Sequence, residues 1–220
     1  MNVVRKYTAE FLGTFLLVLI GTSAVVIANG KVLTIALAFG LAITISAYAF
    51  GGISGGHFNP AVTTAMLINK RMSGKDAVGY IIAQIFGGIV ASAFVALFVN
   101  ALGQPVSNLG QTDFTVIDPW MAIVVEALMT FLFVLIILNV TSADHGNGQF
   151  AGLVIGVSLA LFIIVALNLT GASLNPARSI GPALFAQGNS LGDLWVYILA
   201  PEVGAVLAAF ASRFMGSEQK

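Results

Sequence analysis

Six apolar runs, each about as long as a bilayer core is thick, limit what this chain can fold into more than any other feature. They span residues 7–28, 33–52, 78–100, 120–140, 150–169 and 194–214. A helix needs about 20 mostly apolar residues to cross hydrocarbon. Lipid offers no partner to backbone N–H and C=O groups, so a spanning segment must satisfy them internally. Composition points the same way: 58% of the 220 residues are hydrophobic and 8% are charged, against about 25% charged in a typical soluble domain. Nine basic and nine acidic residues give zero formal net charge. That leaves no bulk attraction to nucleic acid or to an acidic partner. The chain has no cysteine, which excludes disulfides and thiolate metal sites. Arg5 and Lys6 precede the first run as in a signal peptide, but the run is long enough to span and shows no convincing cleavage pattern. It reads as the first membrane helix.

Two further apolar stretches are too short to span. One follows Asn59 and ends near Asn69; the other follows Asn175 and ends near Phe185. At about ten residues each they predict re-entrant half-helices. The expected fold is therefore an all-α membrane protein of six transmembrane helices and two half-helices. Six spans put Arg5, Lys6, Lys70, Arg71, Lys75, Arg213 and Lys220 on one side, and only Lys31 in an opposite loop. The excess of basic residues marks the cytoplasmic side, so both termini are expected there. The remaining basic residue, Arg178, falls inside the second half-helix segment.

Asn59-Pro60-Ala61 recurs as Asn175-Pro176-Ala177, a shift of 175 − 59 = 116. The same shift carries Glu10 onto Glu126, Thr14 onto Thr130, Gly40 onto Gly156 and Gly55 onto Gly171 without gaps. One constant offset over the whole length argues for duplication. The expected organisation is a single membrane domain, residues 1–220, built from repeats at 1–105 and 117–220. Each repeat has three spans, an odd number, so the second inserts upside down, and inverted repeats place shared sites near the midplane.

The repeated motif has a local logic. Proline suits the first turn of a helix, and the asparagine before it is a favoured N-cap. Gly55-Gly56 and Gly171-Ala172 permit irregular backbone ahead of each half-helix. Inversion brings the two N-termini together at the centre, where their positive dipole ends oppose cations. The amides of Asn59 and Asn175 are expected to donate hydrogen bonds to a water oxygen there.

The stretches from Ser54 to Thr63 and from Asn175 to Ser179 resemble the signature motifs of the aquaporin (major intrinsic protein) family. The resemblance covers nearly the whole chain, including Glu10 and Glu126. It implies a right-handed six-helix bundle with one pore per subunit, assembled as a homotetramer in the plasma or inner membrane. It also implies a narrow external filter, carried over by spacing to Phe39, Ile163, Ala172 and Arg178. Backbone at Gly55, Gly56, His57, Gly171 and Ser173 is expected to line the pore. A charged arginine at membrane depth costs at least about 2.5–3.5 kcal/mol on insertion scales and is usually functional. Strict water channels carry histidine where this chain has Ile163, and the isoleucine resembles wider filters that also admit small polyols. Ser179 and Ala183 resemble the water-channel branch instead.

The resemblance implies passive conduction of water, and of small neutral solutes such as glycerol, urea or hydrogen peroxide, with ions excluded. A strict water channel and a secondary transporter are the alternatives. A structural membrane protein is a third class, which short loops argue against. No cofactor, metal site or enzyme chemistry is expected. Glu10 and Glu126 are open to two roles, proton coupling or bracing of irregular loop backbone, of which bracing is preferred. His57 likewise reads as a loop brace ahead of a gate. Glu202, inside the last span, has no firm role from sequence.

Overall fold

The protein's structure, a computed structural model, describes residues 2–216; Lys220, counted above among the basic residues of one side, lies outside the described residues. Among the described residues there are helices and no strands. They are α1 (Val3–Val26), α2 (Val32–Ser54), α3 (Pro60–Ile68), α4 (Gly74–Ala101), α5 (Pro119–Val140), α6 (Ala151–Thr170), α7 (Pro176–Ala186), α8 (Asn189–Gly192) and α9 (Leu194–Phe214). Six of them are long and apolar enough to cross a membrane, so the protein is a multi-pass membrane protein. The half-helices α3 and α7 match the two short stretches expected from sequence, while the single turn α8 was not expected.

The helices α1 and α4 begin four residues ahead of the apolar runs, because polar caps extend them. The Asn2 side chain accepts from the Val4 amide at 3.0 Å, and Ser73 Oγ accepts from the Asp76 amide at 3.1 Å. Each satisfies a backbone donor that the first turn leaves over. The helices α2 and α6 end on glycines in the left-handed region, Gly55 (φ +94°) and Gly171 (φ +74°), a common way to stop a helix and turn the chain.

In the bundle, α1 packs on α2 and α4, and α5 packs on α6 and α9. The half-helix α3 packs on α9, α7 packs on α4, and α2 crosses α6. Exchanging α1 with α5, α2 with α6, α3 with α7 and α4 with α9 maps these pairings onto themselves. The α2–α6 crossing is close because two glycines meet there. A Cβ at Gly40 would lie 2.6 Å from the Gly156 carbonyl oxygen, and one at Gly156 would overlap Thr44 Oγ1. The outer faces expose large apolar side chains such as Leu41, Phe86, Leu161 and Phe210. That arrangement costs free energy in water and none in lipid.

Lys31 and Arg178 apart, the described basic residues gather at one end. Lys6 pairs with Asp76 at 3.3 Å and ties the start of α1 to that of α4. Arg71 donates to the Leu138 carbonyl at 2.9 Å and to Thr141 Oγ1 at 3.0 Å. Arg213 donates to the Ile68 carbonyl at the C-terminus of α3. Guanidinium groups at the C-terminal ends of α3 and α5 also complement the helix dipoles.

Candidate functional site

The two Asn-Pro-Ala triplets start α3 and α7. Asn59 and Asn175 are extended (φ −158° each), with proline at the first helical turn. Asn59 Oδ1 accepts from the Ala61 amide at 2.9 Å. Asn175 Oδ1 accepts from Ala177 at 3.0 Å and Arg178 at 3.4 Å. The other half of each amide reaches across the repeat boundary: Asn59 Nδ2 donates to the Leu174 carbonyl at 2.7 Å, and Asn175 Nδ2 to the Phe58 carbonyl at 2.9 Å. These crossed bonds hold the N-terminal ends of α3 and α7 against each other. An amide nitrogen has two protons, so each asparagine keeps one for the cavity it lines.

The loops that supply those carbonyls are strained. Phe58 (φ +51°) and Leu174 (φ +53°) both sit in the left-handed region, uncommon for residues other than glycine. Buried carboxylates hold them there. Glu10 accepts from the His57 amide (3.0 Å), the Phe58 amide (2.7 Å), Ser54 Oγ (2.6 Å) and Gln84 Nε2 (2.7 Å). Glu126 accepts from the Ser173 and Leu174 amides (2.9 Å each) and from Thr170 Oγ1 (2.6 Å). The His57 ring stands 3.1 Å from Thr63 Oγ1. At the matching place Ser173 Oγ stands 2.6 Å from Ser179 Oγ. The carboxylates of Glu10 and Glu126 thus act on backbone, and Glu202 lines none of the three cavities along the bundle's centre.

Two wide cavities flank a narrow one. The cavity at the basic end is about 290 Å³ and is lined by Gly55, Gly56, His57, Arg71, Tyr80 and Ile155 among others. The one at the opposite end is about 340 Å³ and is lined by Gly110, Asp113, Thr115, Asn168, Gly171 and Arg178. Between them lies a constriction of about 10 Å³, close to the space one water occupies. Its wall brings together Phe39, Ile163, Ala172 and Arg178 with Asn59, Asn175 and Ser173. Leu17, Ile43, Phe133, Leu159 and Leu174 complete it with apolar side chains. Pro60, Ala61, Pro176 and Ala177 are buried behind it as the first turns of the half-helices.

Arg178 is 2% exposed. Its Nη1 donates to the Gly110 carbonyl at 2.7 Å and its Nη2 to the Gly171 carbonyl at 3.5 Å. Its Cζ lies 5.0 Å from the centroid of the Phe39 ring, within cation–π range. Two of the five guanidinium donors are spent on these carbonyls. The side chain is therefore fixed in place while donors and positive charge remain at the constriction.

Several residues that shape the site were not assigned to it from sequence. Gly21 on α1 leaves room for the Phe39 ring, which a Cβ there would overlap. The loop between α4 and α5 reaches into the site: Gly110 holds Arg178, and Thr112 Oγ1 donates to Ser179 Oγ at 2.9 Å. Tyr80 donates to the Ser54 carbonyl at 2.6 Å and Tyr197 to the Thr170 carbonyl at 2.8 Å, each capping the helix before a half-helix loop.

Comparison with known proteins agrees with this architecture. The family model for major intrinsic proteins matches residues 1–212. The chain is 73% identical over 214 residues to glycerol uptake facilitator protein-like 6 of Lactiplantibacillus plantarum, covering 97% of this chain and 99% of that protein. It is 37% identical to aquaporin AqpM of Methanothermobacter thermautotrophicus, over 99% of this chain and all of that one. It is 39% identical to aquaporin Z of Brucella melitensis, over 93% and 95%. The solved aquaglyceroporin of Plasmodium falciparum superposes with a TM-score of 0.86 at 25% identity, covering 97% of each chain. A bundle of six spans, two half-helices meeting at their asparagine caps and a match along nearly its full length place this chain in the major intrinsic protein family.

Proposed function

We propose that the protein is a passive channel for water and for small uncharged solutes, glycerol first among them, and that it excludes ions and protons. One observation carries this: a narrow cavity lying between two open ones, with Phe39, Ile163, Ala172 and Arg178 on its wall beside Asn59 and Asn175. Arg178 and the free asparagine protons give a permeant oxygen donors along one side. Phe39, Ile163 and Leu159 offer carbon nothing to displace on the other. The arginine charge and the facing half-helix ends oppose cations. The family places the protein among channels for water and small solutes, and the 73% identical relative is named a glycerol uptake facilitator-like protein. Glu10, Glu126 and His57 act as braces that position the pore. We further propose a homotetramer in the cell membrane with both termini cytoplasmic, and a single domain with repeats at 1–105 and 117–220.

A second reading, a strict water channel, draws on the constriction itself. A cavity of about 10 Å³ takes water without rearrangement, whereas glycerol needs Phe39 or Ile163 to yield. Stopped-flow swelling of proteoliposomes in a glycerol gradient separates the two. Glycerol entry well above that of empty liposomes supports the wider filter. Entry equal to empty liposomes, with water flux intact, supports the strict channel.

A further inference from the structure

On the outer surface of the bundle, between the N-terminal halves of α1 and α4, lies an apolar groove of about 540 Å³. Val4, Tyr7 and Phe11 form one wall, and Ile82, Ala83 and Phe86 the other. The spacing puts each set on one helix face. Val4 is 69%, Ile82 63% and Phe86 57% exposed, so no described part of the chain covers this face. Gly79 keeps the groove open at its headward end, since the Tyr7 ring rests where a side chain on that residue would stand.

Two cations flank it near the helix starts. Lys75 is one turn before Gly79 on the same face of α4, and Arg5 is three residues before Thr8 of the groove on α1; both are exposed. Asp76, the acidic group at this end of the groove, is engaged by Lys6 at 3.3 Å, and among the described residues Arg5 and Lys75 have no ion-pair partner. The helix starts lie at the basic end of the bundle, at headgroup level if the spans sit in the hydrocarbon.

The second repeat supplies an internal comparison. On α1 and α5 the offset of 116 carries Val4 to Trp120 and Arg5 to Met121; on α4 and α9, where Gly87 and Gly204 make the same contacts, the offset is 117 and carries Gly79 to Val196 and Lys75 to Gly192. At that end a tryptophan stands at the place of Val4, and neither Arg5 nor Lys75 has a basic counterpart. An open apolar slot flanked by paired cations is thus a feature of one end only, not of the fold.

We propose that the α1–α4 groove binds a phospholipid with an anionic headgroup. An acyl chain lies along Tyr7, Phe11 and Phe86, and the headgroup sits between Arg5 and Lys75. The charge complementarity singles out an anionic lipid over a zwitterionic one. The proposal is independent of which solute the pore conducts.

The test is native mass spectrometry of the full-length protein in detergent, titrated with phosphatidylglycerol or with phosphatidylcholine of the same chains. Each basic residue near a headgroup contributes about a fivefold preference, so phosphatidylglycerol should bind roughly 30-fold more tightly. Arg5→Ser or Lys75→Ser should each weaken its binding about fivefold, and the pair about 30-fold, leaving phosphatidylcholine unchanged. Ala83→Trp, which fills the groove, should weaken both lipids. Water flux should match wild type in every variant, since none of these residues lines the constriction. Equal binding of the two lipids, or full phosphatidylglycerol affinity in the double serine variant, overturns the proposal. So does an Ala83→Trp variant that loses its oligomeric state instead of its lipid, which would make the groove a subunit contact. If Ala83→Trp does not fold, the serine variants decide alone.

Discussion

Replacing Glu126 by glutamine tests how the pore centre is held. The substitution keeps shape and one carbonyl oxygen. That oxygen can still accept from Thr170 Oγ1 and the Ser173 amide, as Oε1 does now. The new NH₂ group then faces the Leu174 amide, which donates to Oε2 at 2.9 Å. Leu174 is fully buried, so no solvent replaces the lost acceptor. An orphaned buried N–H costs about 1–3 kcal/mol. Leu174 is also held at φ +53°, and release of such strain is worth about 1–3 kcal/mol, which favours a rearranged loop. The Leu174 carbonyl is the acceptor for Asn59 Nδ2, so the rearrangement reaches the opposite half-helix. At about 2–4 °C per kcal/mol for a chain of this size, Glu126→Gln should lower the Tm in detergent by about 2–12 °C. It should also reduce water flux per folded channel in stopped-flow. Glu10→Gln should do the same through Phe58 and Asn175. An unchanged Tm together with unchanged flux would refute the view that these carboxylates position the asparagines.

Arg178→Val should open a modest proton or cation leak while water still passes, because the charge at the constriction is lost and the half-helix ends remain; planar-bilayer conductance reads it. Ile163→His should lower glycerol flux far more than water flux, since a ring donor replaces apolar wall; paired swelling assays in the two gradients check this. Gly156→Ala should destabilise the bundle by about 1–3 kcal/mol, the usual cost of overpacking, because the added methyl overlaps Thr44 Oγ1 and the Gly40 carbonyl; thermal unfolding in detergent measures it.

Much of this arrangement is legible in the sequence because it rests on local physics. Apolar run length marks the spans, and Asn-Pro before an apolar stretch marks a capped helix start wherever it occurs. Arg178 stands out because arginine at membrane depth requires a reason. Polar helical turns escape a reading by hydropathy, so the starts at Val3 and Gly74 appear only with the Asn2 and Ser73 caps. Contacts made across the fold escape it as well. Nothing near Gly110 announces that its carbonyl holds Arg178, and nothing near Gly21 announces that it seats Phe39. Comparison of the repeats also misses equivalences that slip by one residue. Tyr80 and Tyr197 cap the matching carbonyls of Ser54 and Thr170, yet they lie 197 − 80 = 117 apart. Gln84, the fourth donor to Glu10, falls on Pro201 at the same offset, so symmetry gives no hint of it.

Passive, non-ionic conduction is tested most directly by measuring water permeability and ion current on the same reconstituted preparation. Osmotic shrinkage should be faster than in empty liposomes, with a low activation energy, and fused bilayers should show no sodium or potassium current above background. A cation current that scales with protein content, or shrinkage no faster than in empty liposomes, would contradict the account.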